Sequence, residues 1–220
     1  MEALIQQFFN IEMMRAAWPM LITGLGMTAL ICAIVIPLGL LSGIAAALLS
    51  LADRRVIRWP AIAFVDFFRA LPPLVLLIFV YSGLPFAGIR PSPLQAVAIA
   101  FLLNNAAYYG EIYRAGIQSI GKGQSEAARS TGLTAAQTML HVILPQAIRN
   151  VLPDLISNTV EVVKLTSLAS VVSLAELLYQ ADMARSVTFN ASPIVAAAGI
   201  YLVILWPFVR LVSRMERRLA

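Results

Sequence analysis

The sequence predicts an all-α protein that crosses a membrane several times, and three observations carry that reading. Of its 220 residues 60% are hydrophobic and only 12% charged, about half the charge usual in a soluble domain. No charged residue occurs from Ala16 to Ala52, a longer run than the roughly 20 residues a helix needs to cross a bilayer. The basic residues collect at the ends of the apolar runs, where membrane topology places them. The net charge of +5 therefore does not indicate a nucleic-acid partner, because such binding gathers basic residues on a soluble face. One cysteine, Cys32, and one histidine, His141, are too few soft ligands for a structural zinc or iron–sulfur site. Cys32 reads as a small packing residue, and neither metal nor redox chemistry is expected.

The elements follow in chain order. Glu2 and Glu12 precede the first positive charge, Arg15, which is the reverse of a cleavable signal, so the first apolar run reads as a retained anchor. One long helix is expected over Met20 to Leu51, kinked at Pro37. A short basic loop with Arg54, Arg55 and Arg58 leads to a second run, Ala70 to Ile89, which closes in turn formers from Gly83 to Pro93. A third run, Pro91 to Gly110, continues as helix to Ser119, with Gly121 and Gly123 ending it. A fourth, Ile148 to Leu178, contains Asp154, Glu161 and Lys164, and a fifth spans Val187 to Val209. The expectation is a single domain, 1–220, of about five transmembrane helices, with a short helix pair (about 121–146) between the third and fourth. Arg54, Arg55 and Arg58, then Lys122, Arg129 and Arg149, then Arg210, Arg214, Arg217 and Arg218 outweigh Arg15, Arg90 and Arg185 on the other side. This puts the N-terminus outside and the C-terminus and the 121–149 segment in the cytoplasm.

The helix pair is the unusual segment. Gly132 is expected to close its first helix, and Thr134 with Gln137 has capping-box spacing for the second. Leu133, Ala136, Leu140 and Ile143 share one face at helical spacing, and Pro145 disfavours helical geometry at Leu144 and marks a bend. Glu126 near a helix start suits the local dipole. Small residues on a compact pair suit docking into a partner's groove. The alternative from the residues alone is an amphipathic linker on the lipid surface, although 125–138 lacks the large apolar and strongly cationic faces of such a helix.

In the spans, charges are expensive and usually face the bundle interior or a wet path. Asp154, Asn158 and Glu161 fall on one helix face, and Lys164 is placed to pair with Glu161. This row suits a solute carrying both charges, and a structural Glu161–Lys164 pair is the equal alternative. Asn104, Tyr108 and Glu111 share a face of the third span. Asn104 and Asn158 are equally explained as hydrogen bonds between helices, while Asp66 and Arg69 read as an interface anchor with its counter-charge. The final arginines suit lipid headgroups.

Glu126-Ala127-Ala128, then Gly132, then Val142-Ile143-Leu144-Pro145 resembles the EAA loop of ABC importer permeases in register, with Val142 in place of Ile. Phe67-Phe68-Arg69-Ala70-Leu71-Pro72, the stretch with Tyr108, Glu111, Arg114 and Gly116, Lys164-Leu165-Thr166-Ser167-Leu168, and the tail Met215-Glu216-Arg217-Arg218-Leu219 resemble the polar amino-acid (histidine/glutamine/opine-type) branch. Leu76, Leu71 and Leu165 depart from residues common in that branch (Gln, Thr and Asp), which bears on solute choice and not on coupling. The resemblance implies a permease in the bacterial inner membrane, carrying a polar or charged amino acid and not itself an enzyme. Glu126, Ala127, Ala128, Gly132, Leu140, Leu144 and Pro145 would couple it to an ATPase. Asn104, Tyr108, Asn158, Glu161, Lys164 and Thr166 would line the path. The implied partners are two ABC ATPase subunits, a second permease (identical or paralogous), an external substrate-binding protein and membrane lipid. ATP and Mg would sit in the ATPase, since the chain lacks the G-x-x-x-x-G-K-[S/T] phosphate loop. An ABC permease for another solute, or an ion-coupled secondary transporter, is the alternative.

Overall fold

The computed structural model describes residues 1–219, with the side chains of Arg218 and Leu219 excepted, so that end of the expected tail motif lies outside the described residues. Among the described residues the chain is helical throughout, without a strand. The elements are α1 (Glu2–Phe8), α2 (Ile11–Ser50), α3 (Arg55–Ala70), α4 (Pro73–Ile78), α5 (Pro93–Ser119), α6 (Lys122–Ser130), α7 (Ala135–Thr138), α8 (Leu144–Asn150), α9 (Leu152–Leu165), α10 (Leu177–Thr188) and α11 (Ser192–Leu219).

Three stretches, Glu2–Ser50, Leu152–Val172 and Ser192–Arg217, are long and apolar enough to cross a membrane, and Arg55–Ala70 with Pro73–Ala87 makes a fourth as a broken span. The fifth expected span, α5, has 27 residues, about 40 Å of helix. It has the length but is not among the apolar set, because Asn104, Asn105, Glu111 and Arg114 interrupt it.

Several expected boundaries move. The first long helix begins at Ile11 and not near Met20, because the Asn10 side chain accepts hydrogen bonds from the Glu12 and Met13 amides (3.0 and 3.2 Å) and caps the free end. It then runs 40 residues, through Pro19 and Pro37. Gly121 is the N-cap of α6 and Gly123 lies inside that helix, so neither ends α5. Leu178 and Val187 belong to α10, an extra short helix between the fourth and fifth spans that the sequence reading merged with its neighbours.

Prolines set the other breaks. A π turn at Phe79–Gly83 precedes Pro85, and another at Met139–Ile143 precedes Pro145. A proline ring collides with the carbonyl four residues back, and a widened turn relieves that collision. Leu144 is consequently helical (φ −61°, ψ −42°), contrary to the expected bend there. The chain breaks instead at Val151 (φ −103°, ψ 13°).

The chain divides into two compact units. In the first, Met1–Ile36, Pro72–Leu102 and Val160–Leu211, Ala17 and Leu21 of α2 pack with Leu177, Ala181 and Ala184 of α10 and Ala197 of α11. Its N-terminal end is tied down by Asn190 Nδ2 donating to Gln6 O (2.8 Å) and Asn10 N donating to Ser192 Oγ (2.8 Å). In the second, Pro37–Leu71, Leu103–Thr159 and Val212–Ala220, Ala46, Val65 and Ala107 are buried against Phe64 and Phe68. There α2 and α5 approach backbone to backbone: a Cβ on Gly43 would lie 2.5 Å from Tyr109 Cβ, and one on Gly110 would lie 2.9 Å from Ala46 Cβ. Small residues at a helix contact allow this closeness, which supplies packing where lipid removes the hydrophobic drive.

Candidate functional site: a helix-turn-helix segment and polar rows in the spans

The segment 122–150 is built from its caps outward. α6 ends with Gly132 at φ +89°, a left-handed conformation that costs an L-residue strain, and a Cβ there would meet nothing within 4 Å. The turn is tight and open. Arg129 Nη1 donates to Leu133 O (3.0 Å) across it. Thr134 and Gln137 form the expected capping box, each side chain engaging the other's backbone N–H. The expected apolar face is only partly realised. Ile143 is buried and Leu133 half-buried, but Ala136 is exposed and Leu140 is 58% exposed. Thr138 is buried ahead of the π turn, which adds residues per turn and rotates the register after it, so Leu144 and Ala147 are buried beyond Ile143.

Of the residues expected to couple, Glu126 and Ala127 are exposed, Ala128 is buried, and Leu144 is buried beside an exposed Pro145. α6 begins at Lys122, so Glu126 is not in its first turn and the expected dipole contact is absent. The segment is fixed to α5 at its far end. Asn150 Nδ2 donates to Ser119 Oγ (3.0 Å), and a Cβ on Gly116 would lie 2.9 Å from Ala147 O.

The expected path residues fall in both units. In the second, Asn104 is 3% exposed and donates through Nδ2 to Phe68 O at 3.0 Å. Tyr108, 37% exposed, donates its hydroxyl to Arg69 O at 3.3 Å. These acceptors have a common origin. Pro72 and Pro73 have no N–H to return to the carbonyls four residues earlier, which are those of Phe68 and Arg69. The two polar side chains of α5 supply the missing donors. Asn158 is half-buried, with Nδ2 at 3.5 Å from Asn105 Oδ1.

In the first unit Glu161 and Lys164 form an exposed ion pair with each other, and Thr166 is fully buried, its hydroxyl donating to Val163 O (2.7 Å). Along α9 itself Asp154 and Glu161 are exposed with Asn158 between them, so the expected polar row is a continuous helix face.

Two constellations were not anticipated. Glu111 accepts from Arg114 at Oε2 (2.9 Å) and Oε1 (2.5 Å), and Arg69 Nη1 is 3.7 Å from its Oε2. Arg69 therefore pairs with α5 and lies over the Tyr108 ring (5.8 Å), and Asp66 is not its counter-charge. The repeated acid-x-x-Arg spacing, Asp66 to Arg69 and Glu111 to Arg114, was the available signal. The second is Glu176, 0% exposed, which caps α10 by accepting from Leu178 N (2.8 Å) and Tyr179 N (2.7 Å) and receives Tyr201 Oη at 3.3 Å. Nothing in the local sequence separates this Glu from a surface residue.

The family described as binding-protein-dependent transport system inner membrane component matches residues 35–220. A probable glutamine ABC transporter permease of Bacillus subtilis is 37% identical over 96% of this chain and 98% of its own length. A glutamate/aspartate import permease of Escherichia coli is 36% identical over 92% and 94%. The crystal structure of an amino acid ABC transporter with histidines superposes with a TM-score of 0.84 at 38% identity, covering 93% of this chain and 96% of that one. Matched along nearly its whole length by sequence and by fold, the chain belongs to the family of binding-protein-dependent transport system inner membrane components and is a membrane permease, not an enzyme.

Proposed function

We propose that this permease carries a polar or charged amino acid inward and receives its drive through the segment 122–150. One observation carries the reading: the Glu126-Ala127-Ala128, Gly132, Leu144-Pro145 register lies on a helix-turn-helix whose Gly132 Cβ position faces open space. An exposed Leu140 beside small exposed residues suits a groove in a partner. That partner is an ATPase subunit in two copies, one for each of two permeases, identical or paralogous, with ATP and Mg held by the ATPase. A binding protein delivers the solute on the other side, and the chain lies with its N-terminus outside and its C-terminus in the cytoplasm. Closure of the ATPases biases the permeases between outward- and inward-open states through the two coupling segments.

The solute reading draws on the named relatives and on the exposed mixed-charge row of α9. Glu161 and Lys164, each half or more exposed, offer opposite charges to a zwitterion, and Asn158 lies on the same helix face. Tyr108 is open enough to touch solute, while Asn104 and Thr166, each within its own unit, are enclosed. The deciding experiment is ATP-driven uptake of labelled L-glutamine, L-glutamate and L-arginine into proteoliposomes holding the permease, its ATPase and the binding protein. ATP-dependent accumulation of one of them is expected. Uptake driven by an ion gradient without the ATPase would sink the reading.

A further inference from the structure

At the end of the second unit from which α6 departs, a cavity of about 350 Å³ lies between the last turn of α2, the face of α3 from Arg58 to Asp66 and the last turns of α5. Its size falls at the lower end of small-molecule sites, which run from about 300 to 1,000 Å³. Ser50, Arg58, Asp66, Glu111, Arg114 and Gln118 are its polar lining. None of them belongs to the polar row of α9, nor is any an expected coupling residue.

The charges in this cavity are unequally committed. Glu111 is held by Arg114 and Arg69, and Arg114 also donates to Gln118 Oε1 (2.7 Å). The Arg58 guanidinium makes no hydrogen bond or ion pair among the described residues. Asp66 lies within electrostatic reach of Arg114 without forming an ion pair. Ser50 is 5% exposed, and its hydroxyl is buried with no hydrogen-bond partner. A buried hydroxyl left without a partner is costly. The cavity thus presents one uncommitted cation, one uncommitted carboxylate and one unsatisfied buried donor–acceptor. A bare anion would meet Asp66 and Glu111, and a bare cation would meet Arg58. A molecule carrying both charges satisfies all three groups.

We propose that this cavity is a second solute site, for an α-amino acid bound as its zwitterion, with the carboxylate on Arg58 and the Ser50 hydroxyl and the ammonium on Asp66. It rests on the amino-acid reading of the solute and not on which residues line the path. Its place, against the turns of α5 that run into α6, makes it a site for solute on the coupling side of the permease.

The test is site-resolved labelling of the whole transporter, permease with its ATPase, by photo-leucine, a diazirine-bearing α-amino acid, followed by peptide mapping. Label is expected in residues 50–66 and 111–118, displaced by L-glutamine or L-arginine. Both Arg58→Gln and Ser50→Ala are expected to require about tenfold more probe for half-labelling, as for loss of a hydrogen bond to a charged group. Ser50→Ala removes one oxygen, so it remains informative should Arg58→Gln fail to assemble. Uptake of L-glutamine, L-glutamate and L-arginine is scored in parallel. A transporter that carries none of the three overturns the amino-acid reading and this site together. One that carries any of them, yet labels elsewhere only or labels unchanged in both variants, overturns the second site alone.

Discussion

Asn104 and Tyr108 show how one residue type acquires a role from a distant proline pair. The sequence places both on one face of the third span, and for Asn104 it equally suggests a hydrogen bond between helices. It does not reveal that the acceptors are the two carbonyls orphaned by Pro72 and Pro73, because that requires knowing which helix lies alongside. Asn104→Ala removes the donor to Phe68 O from a part-buried contact, so a loss of about 1–3 kcal/mol is expected. Tyr108→Phe, at a more exposed site, is expected to cost less. Thermal melting in detergent orders the two, and equal effects would contradict the orphan-carbonyl account. Glu176 is a sharper case of the same limit: its buried carboxylate answers two amides and a phenol. Glu176→Gln turns an acceptor oxygen into a donor facing donors. Its melting point is expected to fall by the equivalent of about 1–3 kcal/mol, whereas an unchanged melt would mean the carboxyl is protonated and already donating.

Among the elements, the capping box at Thr134–Gln137 and the close of α6 at Gly132 were legible, because both depend on residues three or four apart. The face 133-136-140-143 was legible only in part. A 3.6-residue period assumes an α-helix throughout, and the π turn before Pro145 rotates everything after it. The same assumption merged α10 into its neighbours, since α10 begins on a cap supplied by Glu176 rather than on a glycine or proline. Gly132 is the most testable point. Nothing surrounds its Cβ position, so Gly132→Ala meets only the left-handed strain, about 1–2 kcal/mol. Gly132→Val adds bulk to the turn proposed to engage the ATPase. The valine variant is expected to express and retain ATPase association weakly while uptake falls at least tenfold. Full ATP-driven uptake at normal expression would remove the segment from the coupling role.

For the whole molecule, hydropathy and the placement of arginines sufficed for a helical membrane protein, because bilayer thickness imposes the length of each run. Of the five expected spans, four are long and apolar enough to cross a membrane, one of them broken, and the exception is α5, which carries Asn104, Asn105, Glu111 and Arg114. What the sequence withheld is the division into two units, whose boundary cuts α2 between Ile36 and Pro37 and depends on contacts remote in the chain. Orientation is testable with one background change, since Cys32 is the sole cysteine. In a Cys32→Ala protein, Ser125→Cys is expected to react with an impermeant maleimide only in inverted vesicles, and Phe86→Cys only in intact cells. The reverse pattern would invert the proposed topology.

The twin bonds from α5 to Phe68 O and Arg69 O also limit how the second unit can move. Sliding α3 past α5 by one helical turn, about 5.4 Å, would break both bonds at once and leave Phe68 O without its donor. The pair is dowelled at two points and must travel as a single strut, whatever stroke the transport cycle applies to it.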